Sequence, residues 1–177
     1  MPGDIKVKYG ASASYTFTSL NSLAGSSGFT AGAVSLAVDN TSALALDYLV
    51  SGKITWSSTG PNAGVYSLQI WVYGNLDDTP NYPQDGSGNA LGTDTARTFA
   101  QAVDVTNACR NLKNIDLYTT ASKVYTFSGV GIASLFSPYG PPKFHGLFIT
   151  HGVTTASSTP AAAGNTITNT PVLAQYT

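Results

Sequence analysis

Two histidines, one cysteine and nine aspartates are the side chains in this 177-residue sequence with most chemistry to offer; glutamate does not occur. His145 and His151 stand six positions apart. On one strand they share a face, but at ~3.3 Å per residue they lie about 20 Å apart, too far to ligate one metal. They read as two unrelated polar positions. Cys109 precedes Arg110, whose charge would lower the pKa of a neighbouring thiol. A lone thiol with no partner in view is more simply a small, inert, semi-buried residue. Asp85, Ser87 and Asn89 set oxygen donors at alternate positions, like the start of a calcium loop, with Asp77 and Asp78 close by. The position that an EF-hand fills with a bidentate glutamate is Ala96 here. These are therefore weak calcium candidates, and a solvated Asp/Gly turn is the favoured reading. Asp77, Asp78, Asp85 and Asp94 also suggest a glycosidase pair, but such carboxylates need a fixed separation on rigid elements and these share one loop. No nucleophile elbow, phosphate loop, dinucleotide fingerprint, zinc-protease helix or paired-cysteine motif occurs. The expectation is a protein that is not an enzyme and carries no cofactor.

The aromatic residues form a second candidate set. Trp71 and Tyr73 alternate with Leu68, Ile70 and Val72, so they point away from the face those residues bury. With Tyr82 and Tyr139 from neighbouring loops they are candidates for an interface or for stacking on a glycan. The favoured alternative is that both faces of this strand are covered, one by a second sheet and one by a loop or neighbouring subunit.

Strands must position these residues. Ile5, Val7 and Tyr9 alternate with Lys6 and Lys8, which predicts a half-buried strand. Tyr15 and Phe17 repeat the pattern, and residues 19–32 read as a loop. Leu44, Leu46 and Tyr48 share a parity that Val50, Ile54 and Trp56 continue, with a bulge or close approach expected at Gly52. This run and Tyr66–Tyr73 predict an antiparallel hairpin across the turn residues 57–62. Residues 75–94 form a long polar loop rich in Pro and Gly. Residues 96–105 suit a strand or a short helix. Strands are expected at 115–118, 123–130, 144–150 and 171–176. About eight strands with turn chemistry between them predict one all-β domain, an antiparallel β-sandwich or jelly roll, spanning residues 1–177. Residues 1–4 and the Ser/Thr/Ala-rich segment 152–170 hold little apolar content and are expected to be flexible arms.

Composition narrows the partners. Charged residues are 10% of the chain and the net charge is −1. Eight scattered Lys and Arg do not make a nucleic-acid surface. No stretch approaches the ~18 apolar residues of a membrane span, and the N-terminus lacks a signal-peptide run. Asn40-Thr41-Ser42 fits the glycosylation pattern, but chance supplies such matches in a Ser/Thr-rich chain.

Three stretches resemble small virion proteins of tailed bacteriophages. They are Ile5–Gly10 running into Tyr15–Leu20; Val38–Thr41 running into Leu46–Val50, with Ile70–Gly74; and Pro141–Phe144 leading into Gly146–Ile149. The resemblance implies a β-sandwich subunit of the particle, made in the host cytoplasm and assembled onto the virion. Its first implication is a capsid decoration or cement protein, a homo-oligomer whose partners are the major capsid protein and copies of itself. The alternative is a tail-associated or receptor-binding module that grips host surface glycans.

Overall fold

In a computed structural model, which describes residues 4–61, 66–80, 82, 95–138 and 140–176, the chain folds as two antiparallel sheets packed face to face. The first sheet has the order β1 (Ile5–Tyr9), β11 (Thr166–Tyr176), β5 (Asp47–Thr55), β9 (Val124–Gly131), with the short β2 (Ala13–Ser14) also on β11. The second has the order β7 (Arg97–Thr98), β3 (Ala31–Val34), β10 (Phe144–His151), β6 (Tyr66–Asn75), β8 (Arg110–Leu117), with β4 (Val38–Asp39) on β10. After β5 the chain crosses to β6, stays in that sheet for β8, then changes sheet at β9, β10 and β11. The chain thus winds back and forth between the two sheets of an antiparallel β-sandwich.

The expected hairpin between the β5 and β6 runs does not form. β5 pairs with β9 and β11, whereas β6 pairs with β8 and β10. Alternation tells which face of a strand is buried, and both strands do bury that face; it carries no information about the neighbour across the ladder. Tyr48, Val50, Ile54 and Trp56 meet Leu68, Ile70 and Val72 from opposite sides of one core, joined there by Leu147, Ile149 and Ile167. Gly52 marks the expected irregularity: the β5–β9 register shifts between Val50 and Gly52, and a Cβ at Gly52 would lie 2.5 Å from the Phe127 ring.

Leu44 and Leu46 break the predicted parity. They are 73% and 53% exposed, and the strand starts only at Asp47. Asn40 organises the turn before it. Its Oδ1 accepts from the Ala45 N–H at 2.8 Å and from the Tyr48 hydroxyl at 2.9 Å. Residues 96–105 divide between the two expectations, with β7 followed by α1 (Ala102–Ala108). The Gln101 N–H donates to Asp104 Oδ2 at 3.0 Å, half of a capping box, and so starts the helix. The 19–32 loop is anchored by the buried Leu20 and Leu23, and β3 begins within its last residues.

The segment 152–170 is not an arm. Val153, Ser158 and Pro160 are buried, and Ile167 and Asn169 lie in β11, next to the sheet centre. Trp56 Nε1–H donates to Ser158 Oγ at 2.9 Å, the Ser57 N–H to Thr159 O at 2.9 Å, and the Ala161 N–H to Thr55 O at 2.8 Å. Small residues lie flat against β5 and are held by backbone and hydroxyl bonds, so low hydrophobicity does not leave this segment loose. Of the other expected arm, residues 1–3 lie outside the described residues and Asp4 is exposed.

Candidate interaction surface

β11 is longer than the sheet it joins. Its pairs with β5 run from Thr166 to Val172, and its pairs with β1 from Val172 to Tyr176. Beyond Val172, β1 and β11 therefore continue as a two-stranded ribbon past the sheet's end. Gly10 sets its base: its N–H donates to Pro171 O at 2.8 Å, and a Cβ there would lie 2.7 Å from the Pro171 ring. The register places Ile5, Val7 and Tyr9 on one face with Val172 and Ala174, and Lys6 and Lys8 on the other with Leu173 and Gln175.

The sequence reading expected Ile5, Val7 and Tyr9 to be half buried in the core. They are 65%, 64% and 63% exposed. An isolated two-stranded ribbon is at best marginally stable in water, so an apolar face on one is suited to being covered. Alternation located this face; it could not tell that the face looks out.

The candidate glycan platform is gathered but covered, not open. Tyr73 and Tyr82 are 2% and 4% exposed, in a second small core with Val34, Phe99, Val105, Cys109 and Phe148 on the outer face of the second sheet. The Tyr73 hydroxyl donates to Ser35 O at 2.8 Å, the Ala37 N–H donates to the Tyr82 hydroxyl oxygen at 3.2 Å, and the two rings lie 5.5 Å apart. Trp71 is half-buried beside them and donates to Gln69 Oε1 at 3.2 Å. Tyr139 lies outside the described residues. The loop and helix that follow β7 thus cover the second face of β6, which answers the question its aromatic residues raised.

The remaining candidates do not converge. His145 and His151 are both fully buried on β10, at separate places. His145 lies between Tyr15 and Tyr48, and burial pushes its pKa down to about 3. His151 Nε2–H donates to Leu23 O at 2.8 Å while its Nδ1 accepts from the Val153 N–H at 3.3 Å, and burial lowers its pKa too. That bonding pattern is the neutral imidazole. Asp78 pairs with Lys143 at 3.0 Å, and Asp77 accepts from Asn75 Nδ2 at 3.4 Å. Asp85, Ser87, Asn89 and Asp94 lie outside the described residues. Among the described residues, no group of three or more His, Cys, Asp or Glu could hold a metal ion.

Cys109 is buried, and desolvation pushes its thiol up to about 12, against the smaller lowering by Arg110. The Arg110 guanidinium instead donates to the carbonyls of Thr106 and Cys109, at 3.3 and 3.2 Å. A thiol-specific aromatic disulfide should therefore label Cys109 at least about a hundredfold more slowly in native protein than in urea-unfolded protein. Equal rates would show the thiol to be open.

A cleft of about 320 Å³ lies between the end of β6 and the Gly140–Pro142 connector, lined by Asn75, Leu76, Arg110, Phe136 and Pro142 among others. The titratable side chain among its described lining residues is Arg110, so the cleft offers no acid–base pair. No helix among the described residues is long and apolar enough to cross a membrane. Comparisons with protein families, curated proteins and solved structures find no match to this chain.

Proposed function

We propose that this protein is a structural component of a tailed-bacteriophage particle, bound on the capsid shell as a decoration or cement protein. The observation that carries the reading is the projecting β1–β11 ribbon with Ile5, Val7 and Tyr9 turned outward. The antiparallel β-sandwich supports it by analogy alone, since that architecture hosts many unrelated functions. Sparse charge is consistent, because interface cores are depleted in charged residues and enriched in aromatic ones.

The mechanism is burial of the ribbon against the major capsid protein. Covering an apolar side chain of this size contributes ~1.5–3 kcal/mol, and association itself costs ~4–15 kcal/mol. One ribbon alone is therefore a weak contact. A repeating shell multiplies it, and contacts between copies raise the effective concentration further.

Quantitative mass spectrometry of purified particles tests this. A copy number at a simple ratio to the major capsid protein is expected. The exposed-site variant Val7→Asp should lower that number about tenfold or more while melting like the parent chain. A count of a dozen or so would move the protein to the tail, and absence from particles would end both virion readings.

A further inference from the structure

We propose that the free edge of β1 takes up an extended segment of another protein in which apolar residues alternate with Asp or Glu. This names the partner chemistry of the shell contact above and rests on that reading. Among the described residues β1 pairs with β11 alone, so its other side is an open sheet edge. The bond from the Gly10 N–H to Pro171 O fixes which backbone groups face inward. Inward and outward pairs alternate along an antiparallel ladder. The N–H and C=O groups of Lys6 and Lys8 thus point at β11, and those of Ile5, Val7 and Tyr9 point at the open edge. All five residues of β1 are exposed, and every second one, Ile5, Val7 and Tyr9, offers its backbone groups to an incoming strand, which is the arrangement for strand addition.

The lysines select the guest. An antiparallel strand added at this edge bonds opposite Ile5, Val7 and Tyr9, so Lys6 and Lys8 fall at the non-bonded pairs, where facing side chains approach most closely. Carboxylates there meet the two lysines; apolar residues at the bonded positions extend the apolar face. A second copy of this chain fits poorly in the register that pairs the whole of β1 with itself, because a two-fold axis on Val7 sets Lys6 against Lys8 twice. Lysine on an edge strand is a common device against self-pairing.

The test uses the full chain, ¹⁵N-labelled, titrated with short capped peptides of alternating valine and glutamate or of alternating valine and lysine. The glutamate peptide should shift the amides of Ile5–Tyr9 and bind about tenfold tighter than the lysine peptide. The double variant Lys6→Glu/Lys8→Glu, exposed at both positions, should invert that preference. Equal binding of both peptides, or no shift of the β1 amides, overturns the proposal. So does a dimer of the parent chain that Val7→Pro abolishes, since the edge would then be filled by a second copy. Particle counts separate the two readings. If Val7→Pro, which removes an outward N–H, still loads at the parent copy number, strand addition fails and the shell location stands. If the parent chain is absent from particles, the shell location fails, and the peptide preference is judged on the isolated protein.

Discussion

Replacing Trp56 by alanine should cost about 3–5 kcal/mol of stability, the range for deleting a buried indole, and lower the melting temperature by about 6–20 °C for a domain of this size. Trp56 is the end of the β5 parity and the anchor of the strap that follows β10. Its ring meets Tyr125 edge-on at 6.3 Å and His151 at 5.0 Å, and its backbone bridges to Pro160. Truncation empties that volume and leaves the Ser158 hydroxyl, fully buried, without its donor. Trp56→Phe separates the two effects, because it keeps most of the volume and loses the hydrogen bond; it should cost about 1–3 kcal/mol. Urea denaturation followed by circular dichroism measures both. A loss below about 1 kcal/mol for the alanine variant would mean that residues 152–160 are not packed on β5 and that the flexible-arm expectation was right after all.

His145→Leu should make the protein less sensitive to acid. The imidazole is fully buried against Tyr15, 6.2 Å away, and Tyr48, 4.4 Å away, and neither ring nitrogen has a hydrogen-bond partner among the described residues. Desolvation holds its pKa near 3, against about 6.5 in an unfolded chain. Between those values the unfolded state binds a proton that the folded state does not. His145's contribution is therefore complete above pH 6.5 and is lost as pH falls towards 3, at up to about 1.4 kcal/mol per pH unit. His151 acts in the same direction. Leucine has a similar volume and no nitrogen to desolvate. The variant should match the parent within about 1.5 kcal/mol at pH 8 and exceed it at pH 4.5. By contrast, His151→Leu should be weaker at both values, because it leaves Leu23 O and the Val153 N–H without partners. Urea midpoints at the two pH values decide: an unchanged acid slope in His145→Leu would show that this histidine is not the buried neutral group described.

Much of the architecture is legible in residue order. The alternation in Tyr48–Trp56 and Leu68–Tyr73 names the inward faces correctly, because side-chain direction in a strand has period two whatever the strand pairs with. The continuous burial of Phe144–His151, central in its sheet, follows from apolar residues on both parities. Short-range signals were sufficient for Gly52, where a missing side chain admits the Phe127 ring. Where sequence reasoning failed, the missing quantity was non-local. That both faces of β6 are covered was the favoured reading, but not what covers them: the loop and helix after β7 come later in the chain, and the helix's capping residues give no hint of which face it will cover.

By itself, then, the sequence determined the all-β class, the parity of the main strands and the absence of recognisable catalytic motifs, since these depend on local propensity and on a period that needs no partner. Tertiary structure alone decided which strands pair, that residues 152–165 lie packed along β5, and that Ile5, Val7 and Tyr9 face outward. The physical reason is that alternation defines two faces of a strand but does not say which will meet the core. That choice is made by how far β11 runs past β5, and no residue of β1 encodes it.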